Sequence, residues 1–218
     1  MNADPSYIVT SKVSLRSLNL ENVNSTFNMI SIETSTVDLE QNIFSNIFSE
    51  SKHIVDSFRS NLTFKNSSFS IFYPIFLYVT STNLNIHFCN FSNSLQSQGD
   101  YFSTSSIFAE YGVLFNLTDC RFENLNSSSS GSVKNILLFI LTSEKALNLY
   151  EIYDATTENS FNNIYGCSFI NNFGDIGAVI YMFNPGKIII NECNFEKNYG
   201  QKGSVLFYQN TCKKMFTL

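Results

Sequence analysis

The hydrophobic pattern of the chain changes period within a few residues and then repeats. In Ile190-Asn-Glu-Cys193-Asn-Phe195, Cys193 and Phe195 are two apart, the spacing of one face of a strand, while Ile190 stands three before Cys193. The polar pair Asn191-Glu192 breaks the alternation, as a corner between consecutive strands does when both corner residues turn outward. Upstream, Lys187-Ile-Ile-Ile190, Val113-Leu-Phe-Asn-Leu117 and Asn83-Leu-Asn-Ile86 predict a strand leading into the corner. Downstream, a polar turn rich in Asn and Gly leads to a third apolar run. It is seen in Gly177-Ala-Val-Ile-Tyr-Met-Phe183, Gly203-Ser-Val-Leu-Phe-Tyr208, Asn135-Ile-Leu-Leu-Phe-Ile140 and Ile75-Phe-Leu-Tyr-Val79.

The unit recurs. Written as apolar, two residues, small or Cys, any, Phe, it is found ending at Phe44, Phe69, Phe91, Phe122, Phe169 and Phe195, in steps of 25, 22, 31, 47 and 26 residues. Leu20-Glu-Asn-Val23 opens the series without its Phe. The step of 47 is close to two units, so 142–163 reads as a degenerate copy near 147–152 or as an inserted loop or short helix. Polar stretches at 96–106 and 124–131 read as surface loops.

Three short strands per unit describe one coil of a parallel β-helix. One coil cannot bury its inward face, whereas neighbours roughly 4.8 Å away bury each other's. The expectation is therefore an all-β, single-stranded, right-handed parallel β-helix filling residues 1–218, with about seven or eight coils and a length on the order of 35 Å. Phe44, Phe69, Phe91, Phe122, Phe169 and Phe195 would form one interior ladder, and Cys89, Cys120, Cys167 and Cys193 a second.

Composition agrees. Of the residues 44% are hydrophobic and only 14% charged, with 22 Phe, 3 Pro and no Trp, which favours strands with a core over disorder. The net charge of -5, with no basic cluster interleaved with aromatics, argues against a nucleic-acid partner. The apolar runs at 71–79 and 136–141 are far shorter than the ~20 residues of a membrane-spanning helix. The start, Met1-Asn-Ala-Asp-Pro-Ser6, lacks the basic and apolar regions of a secretion signal, so the chain reads as cytoplasmic or as an internal piece. Its end, just past a repeat strand, favours a fragment of a longer chain.

At Phe169-Ile-Asn-Asn172 with Gly177-Ala-Val-Ile180, and Phe195-Glu-Lys-Asn198 with Gly203-Ser-Val-Leu206, the chain resembles the polymorphic outer-membrane-protein repeat. That repeat is an F-x-x-N motif followed by G-G-A-[ILV]. The likeness covers the last 50 or so residues. Ile176 and Lys202 stand where the first Gly belongs, and Phe91 and Phe122 have their Asn at the second following position. The resemblance implies a pectate-lyase-like right-handed β-helix of the kind found in adhesins and protist surface proteins, displayed outside the cell and used in adhesion. A leucine-rich repeat, L-x-x-L-x-L-x-x-N, fits the same residues but requires a helix or Leu-rich turn where Gly and a β-branched, aromatic run follow.

The cysteines do not form C-x-x-C pairs with His nearby, so no metal site is expected. Buried thiols are the leading reading. The alternative is a disulfide between stacked neighbours, with Cys167 and Cys193 the best pair and Cys212 outside the slot. Neither His53 nor His87 stands in a nucleophile–base pattern, and His87 falls at an outward corner. Asp119 and Glu192 share the slot before Cys, with Gly166 between them, and no paired acids or matched basic residue complete a lyase or glycosidase set. No catalytic residue and no cofactor is therefore assigned. Glycosylation sequons at Asn24, Asn61, Asn66, Asn90, Asn116 and Asn126 all fall outward or in turns. The expected function is a non-catalytic cell-surface or extracellular module, with glycans or surface proteins as partners. A carbohydrate-active enzyme and a leucine-rich-repeat interaction module are the alternatives.

Overall fold

The computed structural model describes residues 6–93, 107–110, 113–125, 138–141, 162–176, 179–183, 188–202 and 204–209. Every regular element among them is a strand, and the strands wind as a parallel β-solenoid. One face of the coil, here face A, is a seven-stranded sheet in chain order: Lys12–Arg16, Thr36–Glu40, Asn61–Lys65, Asn83–His87, Leu114–Thr118, Asn162–Tyr165 and Ile188–Asn191. Faces B and C share a thirteen-stranded sheet. Face B carries the Phe-bearing segments Arg121–Glu123, Ser168–Ile170 and Asn194–Glu196, and face C the runs Ile107–Glu110, Leu138–Leu141, Ile180–Phe183 and Leu206–Gln209. The long strands Ile43–Phe58 and Ser68–Thr80 bend through both faces.

The corners work through left-handed backbone. At the A–B corner Ser17, Gln41, Asn66, Phe88, Asp119, Gly166 and Glu192 all have φ between 48° and 63°. At the next bend Asn22, Asn46, Ile71, Asn93, Asn124, Asn171 and Lys197 do the same. Asn suits this region, whereas Ile71 and Phe88 hold it at a cost of about 1–2 kcal/mol each. Inter-coil hydrogen bonds offset that cost: Phe88 N–H donates to Thr118 C=O (3.0 Å), Asp119 N–H to Tyr165 C=O (2.9 Å) and Gly166 N–H to Asn191 C=O (3.1 Å). The ladder thus continues around the corner.

The interior is a set of columns. Phe44, Phe69, Phe91, Phe122, Phe169 and Phe195 pair in register from coil to coil. From Phe69 onward the ring centroids lie 4.6, 4.9, 5.1 and 4.9 Å apart, and the last three steps are parallel to within 8°. Phe64 of face A meets Phe69 edge-on at 5.4 Å, and Phe76 of face C approaches it at 4.3 Å. Burying one such ring stabilises the fold by roughly 1.5–3 kcal/mol, and each stacked pair adds about 0.5–1.5 kcal/mol. The inward positions of the first and last coils, including Leu15, Leu20, Ile190 and Phe195, are only partly buried.

One expectation changes, and the open alternatives narrow at two further points. Leu20 pairs with Phe44 and so belongs to the phenylalanine column, while Val23 pairs with Ile47 at the following bend. The equivalents of Leu39 and Asn42 in that coil are Leu15 and Leu18, because Leu replaces both marker residues there and hides the phase. Secondly, Phe122 pairs directly with Phe169, so 47 residues separate two adjacent coils. Of the span 142–163, residues 142–161 lie outside the described residues, and Asn162 and Asn163 already belong to face A. Thirdly, strands Phe173–Ile176 and Tyr199–Lys202 follow Asn172 and Asn198 and pair with each other, where a leucine-rich repeat would need a helix. That alternative is set aside. Residues 177–178 and 203, the Gly-bearing ends of the repeat motif, lie outside the described residues.

Candidate functional site

Just inside the A–B corner lies a slot held in turn by Leu18, Asn42, Ser67, Cys89, Cys120, Cys167 and Cys193. It receives whichever side chain follows the left-handed residue. From it a donor turns back to the carbonyl two residues earlier: Ser67 Oγ to Lys65 at 2.8 Å, and the thiols of Cys89, Cys120, Cys167 and Cys193 to His87, Thr118, Tyr165 and Asn191 at 3.2–3.3 Å. Cys89, Cys120 and Cys167 are buried, Cys193 is partly exposed, and all four are free thiols. Burial pushes the Cys89 thiol up to about 11. From Ser67 onward the slot is held by small side chains that can donate back to the carbonyl two residues earlier.

Outside the same corner the chain places its chemically versatile side chains. Lys65 and His87 are paired neighbours at the end of face A, with Thr118 and Tyr165 continuing the column. Burial lowers the His87 imidazole, Lys65 lowers it further, and Asp119 offsets part of the effect. The Tyr165 hydroxyl donates to Glu192 Oε2, which raises the phenol. Gly166 separates Asp119 from Glu192 in the left-handed column, and the Asp119 carboxylate lies over the position where a Gly166 Cβ would stand. The arrangement is an open edge with one cation, one imidazole, one phenol and two acids spread over successive coils. Among the described residues, no three His, Cys, Asp or Glu side chains converge in a way that could hold a metal ion.

Five of the six sequon asparagines lie among the described residues. Asn24, Asn61 and Asn66 are exposed, and Asn90 and Asn116 are half-buried. Asn61 Oδ1 accepts from Asn83 Nδ2 at 2.8 Å, and Asn116 Oδ1 from Asn163 Nδ2 at 3.0 Å. The Asn90 Oδ1 atom is buried without a partner. Asn126 lies outside the described residues.

Sequence reasoning missed one ladder outright and anticipated the second only as Asn-rich corners whose side chains bond turn amides and carbonyls. At the C–A corner Ser11, Ser35, Ser60 and Thr82 each donate to the carbonyl two residues before, at 2.7–3.0 Å. Ser35 Oγ also accepts the Ser11 N–H, and Ser60 Oγ the Ser35 N–H, both at 3.1 Å. The signal was one hydroxyl residue just before each early face A strand. The second ladder explains the Asn of F-x-x-N. Asn172 Oδ1 accepts from Leu125 N–H (3.1 Å), Asn198 Oδ1 from Asn172 N–H (3.0 Å), and Asn198 Nδ2 donates to Phe169 C=O (2.9 Å).

Outside, Phe48 stacks on Tyr73 at 5.3 Å and Phe173 on Tyr199 at 5.3 Å. Tyr78, Phe108, Phe139, Tyr181 and Phe207 share one register position across face C. No helix among the described residues is long and apolar enough to cross a membrane. No family model, curated protein or solved structure matches the chain.

Proposed function

We propose that the chain is a non-catalytic β-solenoid module of the polymorphic outer-membrane-protein repeat type, displayed at a cell surface or outside the cell and acting by contact with glycans or surface proteins. The observation that carries this reading is a contrast between two neighbouring slots. The inward positions of the repeat are given over to stacking or hydrogen-bond ladders, coil after coil. The adjacent outward slot runs through Ser17, Gln41, Asn66, Phe88, Asp119, Gly166 and Glu192 with no constancy. A scaffold that displays a varied surface has this form. The exposed sequons Asn24, Asn61 and Asn66 support the extracellular address. The test is antibody labelling of unpermeabilised cells combined with a glycan array. Surface labelling with a reproducible glycan or protein ligand is expected. Confinement to the cytosol with unmodified sequons and a silent array would contradict the proposal.

A second reading, a carbohydrate-active enzyme, rests on Asp119 and Glu192 flanking Gly166. Two coil spacings put their backbones about 10 Å apart, close to the separation of roughly 6.5–9.5 Å at which two carboxyl groups can flank a water on a glycosidic bond. Incubation with a panel of neutral and acidic polysaccharides tests it. Product formed by the native chain and lost in Asp119→Asn and Glu192→Gln supports this reading; no product across the panel removes it.

A further inference from the structure

Burial along the thiol column is uneven. Cys89 and Cys120 are 2% exposed and Cys167 0%, whereas Cys193, in the last described coil, is partly exposed. Strand Ser168–Ile170 pairs with Asn194–Glu196 in register, so Cys167 and Cys193 occupy equivalent positions one coil apart, and the Cys167 thiol lies between those of Cys120 and Cys193 and interacts with both. Neighbouring parallel strands are about 4.8 Å apart, inside the range of roughly 4.4–6.8 Å over which a disulfide joins two Cα atoms. Among the cysteines of the described residues, Cys193 alone is more than marginally exposed, and the nearest thiol behind it is Cys167.

We propose that Cys193 is the entry thiol of a redox-active pair and Cys167 its resolving partner. The Cys193 thiolate attacks one sulfur of a small-molecule disulfide such as oxidised glutathione. A Cys193–glutathione bond forms, and one glutathione thiolate leaves. The Cys167 thiolate then attacks Cys193 Sγ and displaces the second glutathione thiolate, leaving a Cys167–Cys193 disulfide. Two protein thiols are oxidised, one glutathione disulfide is reduced to two thiols, and the two protons pass to solvent or to the leaving thiolates. The bridge pins the last described coil to its neighbour through a covalent bond between adjacent strands. The pairing geometry depends on the ladder alone, and the redox poise of the compartment sets how much of the bridge forms.

The experiment uses the purified, reduced full chain. It is incubated with oxidised glutathione at mildly alkaline pH, quenched by alkylation and mapped by mass spectrometry of unreduced peptides. The expected product is a single Cys167–Cys193 bridge, accompanied by slower amide exchange over 188–196. Cys193→Ser leaves Cys89, Cys120 and Cys167 alkylatable only on unfolding, and Cys167→Ser stops at a glutathione adduct on Cys193. Both variants suit the slot, because Ser67 fills it in an earlier coil, and circular dichroism verifies that they fold. An unreactive Cys193, an adduct that persists in the native chain, or a bridge from Cys193 to any thiol other than Cys167 overturns the proposal.

Discussion

A phenylalanine in the column is held from two directions, by the rings of the coils above and below and by the side chains of the facing sheets. Phe122 lies 4.9 Å from Phe91 and 5.1 Å from Phe169 and is fully buried, so Phe122→Ala leaves a cavity that neither neighbour can close. The expected loss is about 3–5 kcal/mol in chemical denaturation, with a clearly smaller loss for Phe195→Ala at the partly exposed end. His87 sets a pH dependence. Its folded-state pKa lies below the unfolded value of 6.5 because burial and Lys65 disfavour the imidazolium. The unfolded chain then binds the proton more readily, so stability is fully present above the unfolded value and is lost as pH falls through the folded one. Thermal unfolding between pH 8 and pH 5 should show this decline, and His87→Gln should flatten that part of the profile.

The coil is the unit of the fold, and its hydrogen bonding fixes which residues a motif can contain. Asn172 is 1% exposed and links three coils, accepting from Leu125 N–H and donating to Phe122 C=O and Asn198 Oδ1. Asn172→Ala strands those partners and should cost about 1–3 kcal/mol, measured by denaturation; Asn198→Ala, less buried, should cost less. The Phe and Cys ladders were legible from sequence because alternation and a repeated marker residue are one-dimensional signals. The amide ladder was only partly so. In Phe169-Ile-Asn-Asn172 the first Asn takes the left-handed bend and the second turns inward, a division that depends on φ at Asn171. The first coil was misphased for a related reason. Leu15, Leu18 and Leu20 provide the right apolar positions but no Phe or Cys to mark them. The outward edge of Lys65, His87, Asp119, Tyr165 and Glu192 was only partly visible, because its members are scattered in the chain and adjoin only after winding.

For the whole molecule, stability is a sum over coils and the contacts between neighbours, so it should not be uniform. The coils from Asn61 to Ser92 contribute the most completely buried rings, while Ile188, Ile190 and Phe195 are partly exposed. Native-state hydrogen exchange should therefore show amides in Asn61–Lys65 and Asn83–His87 exchanging orders of magnitude more slowly than those in Ile188–Asn191 and Asn194–Glu196. The central claim is that successive coils stack in register even where the chain between them is long. The most direct measurement is nuclear magnetic resonance of inter-strand backbone contacts between Leu114–Thr118 and Asn162–Tyr165, whose paired residues Leu117 and Ile164 are 47 apart in sequence. Strong backbone contacts from Leu117 to Ile164, together with ring contacts from Phe122 to Phe169, are the predicted result. Contacts from Leu117 to residues within 142–161 instead, as an intervening coil would produce, would contradict it.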